Sequence, residues 1–283
     1  MVPRSMKLRD LMFVLPNLFT VSSIFCGFYA MTLCTGEAGP TQLYQAAIAI
    51  FFGMFFDAFD GRVARLTKTQ SLFGQELDSL ADVLSFGAAP ALLVWKWALS
   101  GLGIVGVLAS FLFAACGALR LARFNVLAIK SPHGGGGSFF VGMPIPFAAC
   151  GVIAMIIAFE NARGGVLPAD ARWPVLGIVV FLALLMVSTV RYRTFKDVKP
   201  SPKSAVILLS IIVTGVAVGV MSHPAWVLVT YFGLYLLSGL VESTLMLRKY
   251  LMQKHAPADS IADVIDEDED KDDEDGVEDQ EVL

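Results

Sequence analysis

No two of the chain's four cysteines stand at CxxC spacing. Cys26, Cys34, Cys116 and Cys150 fall in or at the ends of apolar stretches, so they read as small packing residues rather than disulfide partners or metal ligands. No segment alternates with period two, which argues against a membrane β-barrel. Charge is sparse too: 16% of the 283 residues are Asp, Glu, Lys or Arg, against 56% hydrophobic. Soluble domains run at about 45–50% apolar. The excess reads as an integral membrane protein.

What is present is a series of eight apolar stretches: Leu11–Cys34, Leu43–Arg65, Leu77–Leu99, Leu102–Phe124, Pro144–Phe159, Trp173–Val190, Ala205–Met221 and Ala225–Leu247. A spanning helix needs about 20 mostly apolar residues. The expected fold is an all-α, polytopic bundle of about eight transmembrane helices. The run from Leu11 is too long for the apolar part of a cleaved signal, and no small-residue cleavage site follows at once. It reads as a retained first helix, with Met6 as an alternative start.

The net charge of −4 conceals two opposite parts. From Asp259 on there are 14 acids and one lysine, which leaves 11 acids and 20 bases in the body, a net of +9. A basic body suits anionic lipid head groups and phosphates, and no nucleic-acid partner is expected. The division predicts a membrane-embedded domain over 1–255 and a disordered acidic tail over 256–283, because such a tail cannot bury apolar surface.

Seventeen of the 20 body bases fall in alternate connections, among them Arg4, Arg62, Arg120, Arg191 and Arg248. The opposite connections hold only Lys96, Arg163 and Arg172. The positive-inside rule then puts both termini in the cytoplasm, together with the short polar link Thr67–Phe73. Two further connections stand out. Lys130–Val141 is Gly-rich, and Arg191–Lys203 is basic with two prolines.

Beside that first link stand four aspartates in two pairs, Asp57 with Asp60 and Asp78 with Asp82. A charge at bilayer depth costs roughly 2.5–3.5 kcal/mol on insertion scales. On helices the pairs are i,i+3 and i,i+4, so each shares one face. Antiparallel neighbours joined by a short link can bring those faces together. Carboxylates gathered in that way repel one another unless cations neutralise them. Hard oxygen ligands favour Mg²⁺, Mn²⁺ or Ca²⁺, and two such ions suit phosphoryl transfer. Gly61 and Ala64 keep the helix surface small enough for a phosphate or nucleotide to approach. Arg65 offers a forked donor for phosphate oxygens. Gly74 is expected to let the chain turn tightly into the next helix.

The string Asp57-x2-Asp60-Gly61-x2-Ala64-Arg65-x8-Gly74-x3-Asp78-x3-Asp82 resembles, without departure, the motif of the CDP-alcohol phosphatidyltransferase family. The resemblance implies a six-helix membrane core, a homodimer and a cytoplasmic nucleotide site. It implies that Asp57, Asp60 and Asp78 hold one divalent ion, Mg²⁺ or Mn²⁺. Asp78 and Asp82 would help hold a second, and Asp82 would double as general base. It also implies that Gly61, Arg65 and Ser71 contact CDP-diacylglycerol, with Ala64 and Gly74 in the same site. Asn17 and Thr20, in Pro16-Asn17-Leu18-Phe19-Thr20, resemble the family's first-helix nucleotide-binding element.

The segments Arg120-Leu121-Ala122-Arg123-Phe124-Asn125 and Phe139 to Pro146 are similar to the serine-accepting branch of that family. Arg120 and Arg123, one turn apart, are candidates for the serine carboxylate, with Asn125 beside them. The expected reaction joins CDP-diacylglycerol and L-serine. Glycerol 3-phosphate, inositol or inositol phosphate are alternative acceptors. A cation transporter fits less well, because the carboxylates cluster at one interface and the other half holds no matching broken-helix pair; a prenyl-transfer enzyme leaves Gly61, Ala64 and Arg65 unexplained. No Cys or His stands in the motif, which favours direct displacement over a covalent intermediate.

Overall fold

The computed structural model describes residues 8–69, 71–130, 139–163 and 167–193. Among the described residues there are six helices: α1 (Leu8–Leu33), α2 (Pro40–Leu66), α3 (Leu72–Leu102), α4 (Ile104–Lys130), α5 (Ile145–Arg163) and α6 (Arg172–Val187). They match the first six apolar stretches in order. The seventh and eighth stretches, and the acidic tail, lie outside the described residues. Among the described residues, three helical runs are long and apolar enough to cross a membrane: Leu72–Leu102, Ile104–Leu127 and Ala169–Val187.

Local chemistry sets the boundaries. Pro40 opens α2 at a position where a missing N–H costs nothing, and the Gly39 N–H is taken by Gln42 Oε1 at 2.9 Å. Ser71 caps α3: its Oγ accepts the Gly74 N–H at 3.0 Å. Gly103, at φ +58°, makes the turn between α3 and α4.

α3 is not uniform. It is α-helical to Asp82, opens into a π-turn over Val83–Ala88, and opens again over Trp95–Leu99. Pro90 supplies a reason for the first opening. It donates no hydrogen bond, and its ring would press on the Phe86 carbonyl in a regular α-helix. The widened turn is pinned to α1, where Ser85 Oγ donates to the Ser23 carbonyl at 3.0 Å. Gly27 lets the two backbones approach: a Cβ there would lie 2.7 Å from Ser85 Cα. The core behind this contact is apolar and includes the fully buried Phe86, Leu93, Phe113, Ile145 and Met186.

One feature departs from an all-helical chain. Residues 139–141 (β1) and 191–193 (β2) form a short antiparallel ladder with Phe140 opposite Tyr192. It ties together the ends of the Gly-rich and basic connections. Gly142, at φ +80°, turns the chain out of the ladder and donates its N–H to the Val190 carbonyl at 2.8 Å. Three residues per strand are too few for a period-two pattern to register.

Candidate metal and nucleotide site

α2 and α3 deliver the four aspartates to one place. A carboxylate oxygen from each of Asp57, Asp60 and Asp78 lies within 4.8 Å of the other two. Asp60 is only 5% exposed, and the other three are half-buried. The Asp82 side chain lies beside that of Asp57. Its Oδ1 is buried and takes no hydrogen bond. A buried acceptor left bare costs about 1–3 kcal/mol, and a cation ligated there would remove that cost. Clustered hard oxygens with such an orphan fit a divalent ion such as Mg²⁺ or Mn²⁺.

The first helix contributes directly. Thr20, 3% exposed, donates its hydroxyl to Asp60 Oδ2 at 2.8 Å. Asn17 lies one turn earlier on the same side. A cleft opens from there, walled by Pro16, Asn17 and Thr20 of α1, Asp60, Gly61 and Ala64 of α2, and Ser71, Gly74 and Asp78 beyond the link. All seven predicted substrate residues except Arg65 therefore line one cleft, with Asp60 and Asp78 among its walls. A Cβ added at Gly61 would meet nothing within 4 Å, so this glycine leaves open space.

The link between the pairs is built tightly. The Thr69 N–H reaches back to the Ala64 carbonyl at 3.0 Å, and the Lys68 N–H to that of Arg65 at 3.3 Å. These are the two bonds of a Schellman cap, whose left-handed position is usually glycine. Here it is Lys68, at φ +55°. The turn buries Thr69 to 7% exposure and lays it against the cleft, where its hydroxyl pairs with that of Thr67 at 2.7 Å.

One sequence expectation changes here. Gly74 is not a turn into the helix: α3 has already begun at Leu72, and Gly74 is not among the positive-φ glycines. Its small size instead admits close neighbours, since a Cβ would sit 3.2 Å from Ser71 Oγ and 3.4 Å from Asn17 Oδ1. Arg65 is exposed and is not part of the cleft wall, and its Nε donates to the Gly61 carbonyl of its own helix at 3.1 Å.

The candidate acceptor residues on α4 separate. Arg120 is buried, at 8% exposure. It packs over the Phe124 ring at 5.5 Å, and its charge acts on Asp82. Arg123 is exposed. Asn125 is half-buried and donates from Nδ2 to Ser79 Oγ at 3.0 Å. Thr69, Gln75 and Pro16 also line the cleft; the sequence reading gave none of the three a role of its own.

The match to known proteins follows the geometry. Residues 13–190 match the family model described as CDP-alcohol phosphatidyltransferase, and the chain belongs to that family. It is similar to a CDP-diacylglycerol–serine O-phosphatidyltransferase of Helicobacter pylori, with 36% identity over 87% of this chain and 98% of that relative. A Bacillus subtilis protein of the same description is 35% identical over 64% of this chain and 91% of its own length. An archaetidylserine synthase of Methanothermobacter thermautotrophicus is 33% identical over 63% of this chain and 69% of its own.

Proposed function

We propose that the protein transfers the phosphatidyl group of CDP-diacylglycerol to L-serine, releasing phosphatidylserine and CMP. The observation that carries this reading is the cluster of Asp57, Asp60 and Asp78 beside a cleft reaching from Asn17 to Gly74. Serine as acceptor is supported by the names of the relatives, and the match to the Helicobacter pylori protein covers 98% of that protein.

In this reading the nucleotide and diphosphate enter the cleft and the acyl chains stay in the bilayer. Asp57, Asp60 and Asp78 would hold one Mg²⁺ or Mn²⁺, and Asp78 with Asp82 a second. The ions would neutralise the carboxylates and the charge that grows on the diphosphate. Asp82 takes the proton from the serine hydroxyl. The serine oxygen then bonds to the β-phosphorus, and the bond from that phosphorus to the CMP oxygen breaks. The electron pair leaves with CMP. Arg120 is the better placed of the two arginines to receive the serine carboxylate, being buried and within electrostatic reach of Asp82. The wider arrangement is a homodimer with about eight spans per chain, and both termini and the site face the cytoplasm.

The test is incubation of purified protein with labelled serine and CDP-diacylglycerol, with and without Mn²⁺. Metal-dependent label in lipid is expected. Label from glycerol 3-phosphate or inositol, and none from serine, would change the acceptor and leave the chemistry.

A further inference from the structure

The α-helical start of α3, Leu72–Asp82, carries both Asp78 and Asp82 yet buries only Ala81. Leu72, Phe73 and Leu80 are 82%, 69% and 68% exposed. Immediately after Asp82 the helix opens into its π-turn. Apolar packing therefore does little to fix the rotation of this segment about its own axis. A rotation would move two carboxylates of the cluster at once. A polar contact at the right height is needed to set the angle.

Ser79 and Asn125 supply such a contact. Ser79 follows Asp78 and stands one turn before Asp82, on the same side of the helix as Asp82. Its Oγ receives the Asn125 Nδ2–H at 3.0 Å from the C-terminal end of α4, 46 residues along the chain. The bond joins the aspartate-bearing turn to the helix that carries Arg120. Asn125 spends an amide N–H on Ser79 instead of keeping it for a substrate.

We infer that Asn125 is a positioning residue: through Ser79 it sets the rotation of α3 and so places Asp78 and Asp82 for metal binding. The inference rests on reading the carboxylates as a metal site, and it makes the Asn125 amide part of the metal-site support rather than a serine contact. It separates two roles that the sequence left together on α4. Arg120 faces Asp82 by charge, and Asn125 holds the backbone that presents Asp82.

The test uses full-length protein in detergent, as wild type, Ser79→Ala, Asn125→Ala, the double variant and Ser79→Thr. Free Mn²⁺ is followed by electron paramagnetic resonance without substrates, and kcat and serine KM are measured at saturating metal. Losing a neutral hydrogen bond should weaken Mn²⁺ binding by about three- to tenfold in each alanine variant. The double variant should be no weaker than either single, because the pair acts as one unit. Ser79→Thr keeps the hydroxyl and should stay within about twofold of wild type, and serine KM should change by less than about twofold throughout. If Ser79→Ala is silent while Asn125→Ala raises serine KM, Asn125 touches the acceptor and the inference is wrong. Unchanged Mn²⁺ binding in Ser79→Ala, or additive losses in the double variant, overturns it as well. A wild type that binds Mn²⁺ but ignores serine counts against the acceptor assignment and leaves the positioning result to be read from Mn²⁺ binding alone.

Discussion

Thr20 on α1 donates its hydroxyl to Asp60 Oδ2 on α2 at 2.8 Å across 40 residues of chain, and both groups are buried. The same oxygen of Thr20 lies 3.3 Å from the Pro16 carbonyl. The first helix thus fixes the orientation of a carboxylate in the candidate metal site and forms a wall of the candidate nucleotide cleft. A bond to a charged group is worth about 1.5–3 kcal/mol. Thr20→Val keeps the shape and removes the donor, and it should weaken metal binding or turnover about ten- to a hundredfold. Thr20→Ser should retain most of both. Equal loss in Ser and Val would show that packing, not the hydroxyl, matters at this position.

Gly61 and Gly27 should respond in opposite ways to added bulk. A side chain at Gly61 enters open space, so Gly61→Leu should fold, purify and lose CDP-diacylglycerol affinity. At Gly27 a Cβ would come 2.7 Å from the Ser85 backbone. Gly27→Leu should therefore destabilise the protein, read as a lower midpoint of thermal unfolding in detergent. A Gly61→Leu protein with normal KM for the lipid substrate would remove this glycine from the cleft's function.

Much of this site was legible because its residues lie close together in sequence. Asp57 through Asp82 span two helices and one link, so helical spacing alone predicted which carboxylates meet. Apolar runs gave the six described helices for the same reason. Contacts between distant segments were not legible. The Ser79–Asn125 bond, the ladder between 139–141 and 191–193, and the burial that separates Arg120 from Arg123 all depend on how helices pack. The role of Gly74 was misread because a glycine before a helix and a glycine in its first turn look alike in sequence. Only the Ser71 cap reveals which it is.

Lys68 holds a left-handed conformation at φ +55° in the cap that ends α2. A residue with a Cβ pays roughly 1–2 kcal/mol there, and glycine does not. Lys68→Gly should raise the unfolding midpoint, provided that lost side-chain contacts are small, and should leave serine KM unchanged. A fall in stability would mean that the lysine side chain contributes more than its backbone costs.

Asp82 should matter more for chemistry than for lipid binding, because Asp60 and Asp78 line the cleft while Asp82 does not. Asp82→Asn should keep measurable CDP-diacylglycerol affinity while losing orders of magnitude in turnover. Parallel loss of both would make Asp82 chiefly a metal ligand and assign the proton to another group.

The most direct measurement is transfer of labelled serine into lipid by the purified protein, run beside Asp57→Asn, Asp60→Asn, Asp78→Asn and Asp82→Asn. The account predicts phosphatidylserine formation that requires CDP-diacylglycerol and a divalent metal, and that falls by orders of magnitude in every folded variant. Metal-independent transfer, or near-wild-type transfer by any of the four, would contradict it.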